Sequence, residues 1–135
     1  MNKEFFEKGK AFGECAKELP VFKNLYKKVT ILPGDEKFFS SKKAKVLVIS
    51  EPWCSDCKRE IPLIIYIADK AGWEMRIFGR DANPDLMDQY TTNGKRKIPV
   101  IVLFDENFKE IGRFIEKPPK SRTTVEVLKE ILEKA

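Results

Sequence analysis

The apolar run Val46-Leu47-Val48-Ile49 is followed within a few residues by Trp53-Cys54-Ser55-Asp56-Cys57, which sets two thiols one helical turn apart at a strand-to-helix junction. Residues i and i+3 share a helix face. If the helix begins at the first cysteine, Cys54 sits at its electropositive mouth and Cys57 one turn inside. Unpaired backbone N–H groups and the helix dipole stabilise an anion there, and thiols so placed ionise at about 3.5–7.5 rather than near 8.5. Spacing and context therefore make this pair a candidate redox site, with Cys54 as the reactive sulfur.

Two other readings of the pair are weaker. A zinc or iron–sulfur centre needs about four ligands, and the chain has 3 cysteines and 0 histidines. No metal and no other cofactor is expected. Thiols that merely pack suit an apolar segment, whereas Ser55, Asp56, Lys58, Arg59 and Glu60 make this one polar and predict exposure. The third thiol, Cys15, lies beside Ala16 in a predicted first helix and reads as a small buried hydrophobe.

Further along stands Lys97-Ile98-Pro99-Val100-Ile101-Val102-Leu103-Phe104. Proline lacks the N–H that a sheet ladder uses, so Pro99 belongs at the first residue of this strand. With both segments in view the chain resembles the thioredoxin family over roughly residues 44–134. In that family a Trp-Cys-X-X-Cys helix start is faced by an Ile-Pro or similar pair with a cis peptide bond, then a strand and a hairpin. Pro62, five residues after Cys57, matches the family's helix-kinking proline, and Asp81-Ala82-Asn83-Pro84 matches its Asp-x-Asn-Pro turn, with Asn83 as the expected cap.

The chain also departs from the family pattern. The resemblance implies a buried Asp six residues before the first cysteine, partnered by a Lys on the neighbouring strand. Those positions fall on Val48 and Ile77. Replacing a buried charge pair by apolar side chains need not cost stability, so the departure bears on proton transfer rather than on fold. Ser55-Asp56 stands where thioredoxin has Gly-Pro, and Glu116 falls near a glycine used beside the substrate groove.

The fold class expected is α/β, a thioredoxin-like three-layer α/β/α sandwich with a mixed central sheet. A single domain spans 1–135, with a mainly helical N-terminal extension over 1–43 and a core over 44–134. At 135 residues the chain can bury a core without structural disulfides. Phe5, Phe12, Ala16 and Leu19 predict one N-terminal helix up to Pro20, and Val21, Phe22, Leu25, Tyr26 and Val29 a second. Pro33-Gly34 reads as a turn, with Asp35 capping a short helix through Phe39. Then come strand 45–50, a helix from about 54 to 70, strand 73–79, helix 84–91, strands 99–104 and 109–115, and helix 123–134 opened by a capping box at Thr123 and Glu126.

The net charge of +5 comes from 26 basic and 21 acidic residues, a small excess on a heavily charged surface, so no nucleic-acid partner is expected. No stretch approaches the ~20 apolar residues of a membrane span, and charges interrupt Met1–Lys8 where a signal peptide would be apolar. A monomer in the reducing cytoplasm is the expectation, where two such cysteines cycle rather than staple. Lys95-Arg96-Lys97 precedes Ile98-Pro99 and would lie beside the thiols, favouring acidic partners or a nearby thiolate.

The resemblance implies dithiol–disulfide exchange on disulfide-containing protein substrates, with a thiol or reductase as electron donor. Cys54 attacks and Cys57 resolves. Trp53 shields one side of the nucleophile, and backbone groups around Ile98 and Pro99 pair with an extended substrate segment. Lys58 and Arg59 favour the thiolate, while Glu51, Asp56 and Glu60 oppose it. With the buried acid absent, Asp56 is expected to manage the proton on Cys57 through water. The alternative is a redox-switched binding module that uses the Ile98-Pro99 surface without multiple turnover. Glutathione-linked chemistry is disfavoured by Trp53 and Asp56.

Overall fold

A computed structural model describes residues 1–11, 20–119 and 121–135. At its centre lies a four-stranded sheet in the order β2-β1-β3-β4, formed by β1 (Lys45–Ser50), β2 (Glu74–Gly79), β3 (Val100–Phe104) and β4 (Glu110–Ile115). β1 runs parallel to β2 and antiparallel to β3, and β3 and β4 form an antiparallel hairpin. The two central strands are apolar on both faces: Leu47, Val48, Ile49, Val100, Ile101, Val102 and Leu103 are all fully buried. A strand that reads as a continuous aliphatic run is the kind that helices cover on both sides.

Helices cover both faces. On one side lie α1 (Lys3–Phe6), whose Phe5 stacks on Phe78, and α5 (Pro84–Met87), which continues as a 3-10 turn over Asp88–Tyr90. On the other lie α2 (Pro20–Tyr26), α3 (Pro33–Ser40), α4 (Ser55–Ala71) and α6 (Thr124–Lys134), with α2 and α3 packed on α4 and α6 on β4. This is the three-layer sandwich with a mixed sheet. Phe6, Phe22 and Phe39 from the N-terminal part are buried in the same apolar cluster as the sheet.

Local chemistry sets two of the element ends that matter most here. Gly72 closes α4 at φ +74, a backbone state that glycine adopts without a Cβ penalty. Thr123 and Glu126 form the capping box of α6. That helix lies close on β4, where a Cβ on Gly112 would come within 2.6 Å of the Ile131 side chain.

Several expectations need correction in the N-terminal third and at the second turn. The helix through Phe5 ends at Phe6, because Lys10 exchanges two backbone hydrogen bonds of 2.9 Å with Ile77 and so adds a bridge to the sheet edge. Phe12, Cys15, Ala16 and Leu19 lie outside the described residues. Pro33-Gly34 opens α3 rather than making a turn before it, since proline's fixed φ suits the first helical position; Leu32, not Asp35, is the cap residue. Asn83 does stand at the cap of α5, but its side chain donates to the Gly79 carbonyl at 2.8 Å instead of capping the helix.

Candidate active site

β1 ends at Ser50, and the chain turns through Glu51-Pro52-Trp53 into α4, whose N-cap residue is Cys54 itself. The Cys54 sulfur accepts the Cys57 backbone N–H at 3.4 Å, as a serine or aspartate oxygen would in an ordinary cap. Cys54 is partly buried, and its S–H lies 3.8 Å from the carbonyl oxygen of Ile98. Both thiols are free.

Cys57 lies one turn deeper and is fully buried. Burial pushes its thiol well above the ordinary cysteine range, a Glu51 backbone N–H aimed at the sulfur partly offsets this, and the Cys54 sulfur adds to the rise. The two sulfurs therefore differ in access, and burial holds the deeper one in its thiol form. Iodoacetamide added to the native reduced protein at neutral pH should label Cys54 and leave Cys57 unmodified until the chain is unfolded, as read by peptide mass spectrometry. Equal labelling of both in the native state would contradict this description.

The Ile98-Pro99 peptide bond is cis, and both residues are buried against the start of α4. The Pro99 carbonyl accepts the Glu116 N–H at 2.7 Å. Among the described residues the Ile98 N–H has no protein acceptor. One unpaired main-chain donor and the Ile98 carbonyl thus stand beside the half-exposed sulfur.

Trp53 is 58% exposed. The Arg80 guanidinium lies over its ring, 5.0 Å from the centroid, and also bonds Asp81 at 3.0 Å and the Arg96 carbonyl at 3.5 Å. Arg80 therefore joins the tryptophan to the segment that leads into Ile98-Pro99. Nothing in the local pattern marked this arginine, because the ring it covers is 27 residues away.

The acidic residues of α4 behave differently from expectation. Glu60, read as exposed, is only 3% exposed. Its Oε1 accepts the Thr124 hydroxyl and its Oε2 the Arg59 Nε at 2.7 Å. A buried carboxylate is tolerated when paired and hydrogen-bonded in this way. Arg59 also donates to Asp56 Oδ1 at 2.7 Å and to the Glu116 carbonyl at 3.4 Å. Its positive charge is thus committed to two carboxylates rather than to the thiols. Lys58 is exposed and makes no ion pair among the described residues.

The basic stretch ahead of Pro99 is likewise engaged. Arg96 holds Asp88 through two hydrogen bonds of 2.8 and 3.1 Å, and Lys97 lies 3.7 Å from Glu116. Val48 and Ile77, which stand where the resemblance implied a charge pair, are direct cross-strand partners and both buried. No group of three or more His, Cys, Asp or Glu side chains that could hold a metal occurs among the described residues. Nor is any described helix long and apolar enough to cross a membrane.

Residues 10–129 match the family model described as thioredoxin. The chain belongs to the thioredoxin family. Its architecture is also that of a protein of unknown function from Pseudomonas aeruginosa, aligned over 96% of this chain and 88% of the other with a TM-score of 0.69 and 20% identity. An HIV epitope scaffold aligns over 95% and 86%, with a TM-score of 0.71 and 20% identity. A mutant thioredoxin from Halobacterium salinarum aligns over 78% and 85%, with a TM-score of 0.50 and 19% identity. At these identities the structures share the fold. Family, fold and the adjacent cysteine pair together support a role of the thiol–disulfide oxidoreductase kind.

Proposed function

We propose that this protein reduces or exchanges disulfides of protein substrates through Cys54 and Cys57. The observation that carries the reading is the asymmetry of the two sulfurs: one caps a helix and is reachable, the other is sealed beneath it. Cys54, as thiolate, attacks one sulfur of a substrate disulfide. A Cys54–substrate S–S bond forms, the substrate S–S bond breaks, and the departing thiolate takes a proton from water. Cys57 then loses its proton and attacks the Cys54 sulfur, which releases the second substrate thiol and leaves a Cys54–Cys57 disulfide. A thiol or reductase donor returns the pair to the dithiol.

In this scheme Trp53 offers a flat apolar surface beside the nucleophile, and the free Ile98 N–H together with the Ile98 carbonyl pairs with an extended substrate segment at the Pro99 turn. Lys58 lends positive charge to the thiolate. Asp56 uses Oδ1 for Arg59, and its other oxygen serves as the water-linked acceptor for the proton of Cys57. A reducing compartment such as the cytoplasm would keep the pair in its dithiol form.

Insulin reduction with dithiothreitol as donor tests the reading. The protein should accelerate it by about tenfold or more over dithiothreitol alone, through many turnovers per molecule. Asp56→Asn should slow release of the mixed disulfide more than its formation. Partner retention that changes with oxidation, without turnover, would instead establish the redox-switched binding module.

A further inference from the structure

The scheme above makes no use of the buried Glu60, nor of the backbone at Glu116. Glu116 has φ +73, a left-handed state that strains a residue with a Cβ and persists only where the surroundings enforce it. Here both of its peptide groups are held. Its N–H bonds the Pro99 carbonyl at 2.7 Å, and its own carbonyl accepts Arg59 Nη2 at 3.4 Å. Arg59 is fixed in turn by Asp56 in the first turn of α4 and by Glu60 one turn on, and Glu60 by Thr124 at the start of α6.

The geometry points to Arg59 as a positioning residue: with Glu60 as its buried anchor, it locks the wall formed by Pro99 and Glu116 at a set distance from the helix turn that carries both sulfurs. A guanidinium suits this task because its planar fork presents several donors in fixed directions, whereas an ammonium is a point charge on a flexible stem. The brace runs from Thr124 through Glu60, Arg59 and Glu116 to Pro99. It reaches the substrate wall from behind, and Arg59 touches neither sulfur. A binding wall already held in place before substrate arrives spares the cost of ordering it on binding, so a rigid link across this gap has a direct use. The link to catalysis rests on the oxidoreductase reading; the link to the position of Glu116 does not.

Two measurements on wild type, Arg59→Met, Arg59→Lys and Thr124→Val separate these parts. Amide hydrogen exchange reports local opening without any substrate. In Arg59→Met the Glu116 amide should exchange about tenfold faster than in wild type while Ile101 in β3 keeps its protection. Arg59→Lys should recover only part of the difference, and Thr124→Val should shift Glu116 in the same direction by less. Unchanged exchange at Glu116, or acceleration matched at Ile101, would overturn the brace. Where wild type turns over, Arg59→Met should raise KM for the disulfide substrate about tenfold and change kcat by no more than about twofold. A loosened Glu116 with wild-type KM would overturn the link to substrate placement. An inactive wild type would count against the oxidoreductase reading and leave the exchange result standing alone. Should Arg59→Met fail to fold, Arg59→Lys and Thr124→Val carry both measurements.

Discussion

Cys54→Ser should abolish disulfide reduction, lowering kcat/KM by about a thousandfold or more, because an oxygen at the helix cap cannot open a disulfide. Cys57→Ser should behave differently. Attack by Cys54 needs only an exposed sulfur with the Cys57 amide still in place, and serine keeps that amide. The first step therefore survives, and the second does not, so a covalent adduct with substrate should accumulate. Non-reducing gel electrophoresis and intact mass would show it, and dithiothreitol would release it. Full turnover by Cys54→Ser, or an absence of adduct with Cys57→Ser, would remove the assignment of attacking and resolving sulfurs. The contrast between the two variants is informative because both lose one thiol, yet only one blocks entry to the cycle.

What could be read from the chain beforehand follows the range of the interactions involved. β1, α4 and the β3–β4 hairpin were legible because each is set by its own residues: an unbroken aliphatic run, a cap with a sulfur in the usual oxygen place, a proline just before a strand. α6 announced itself by its capping box. The first part of the expected N-terminal helix breaks after Phe6 because helical spacing is a local signal, whereas that break is imposed by Lys10 pairing with Ile77, 67 residues on. The site shows the same division. Cys54, Cys57 and Ile98-Pro99 could be placed in advance. Glu60 could not, since a carboxylate on a polar helix start reads as solvated until Thr124, 64 residues later, takes its oxygen. Arg80 and the left-handed backbone at Glu116 share that origin, each depending on a partner from another element.

The pair Val48 and Ile77 allows a test with a larger effect on stability. They are neighbours in the β1–β2 register, fully buried or nearly so. Val48→Asp places a carboxyl among apolar side chains with no cation beside it, at a cost of about 3–5 kcal/mol when an uncompensated charge is involved. The melting temperature should fall by on the order of 10–20 °C for a domain of this size. The pH dependence has a definite sign. In the unfolded chain the new carboxyl ionises near ~4, while burial holds it neutral in the fold, so its folded pKa lies above its unfolded one. Below ~4 both states are protonated and the deficit against wild type is smallest. As pH rises past that point only the unfolded state gains by ionising, and the deficit widens. Val48→Asp combined with Ile77→Lys supplies an opposite charge on the adjacent strand and should recover part of the loss at pH 7, the coupling being read from a double-mutant cycle. A Val48→Asp protein as stable as wild type at pH 7, or one whose deficit ignores pH, would mean that this part of the core admits water or another partner. The wild-type pairing of two aliphatic side chains avoids that cost altogether, and no ionisable side chain stands at either of these two positions.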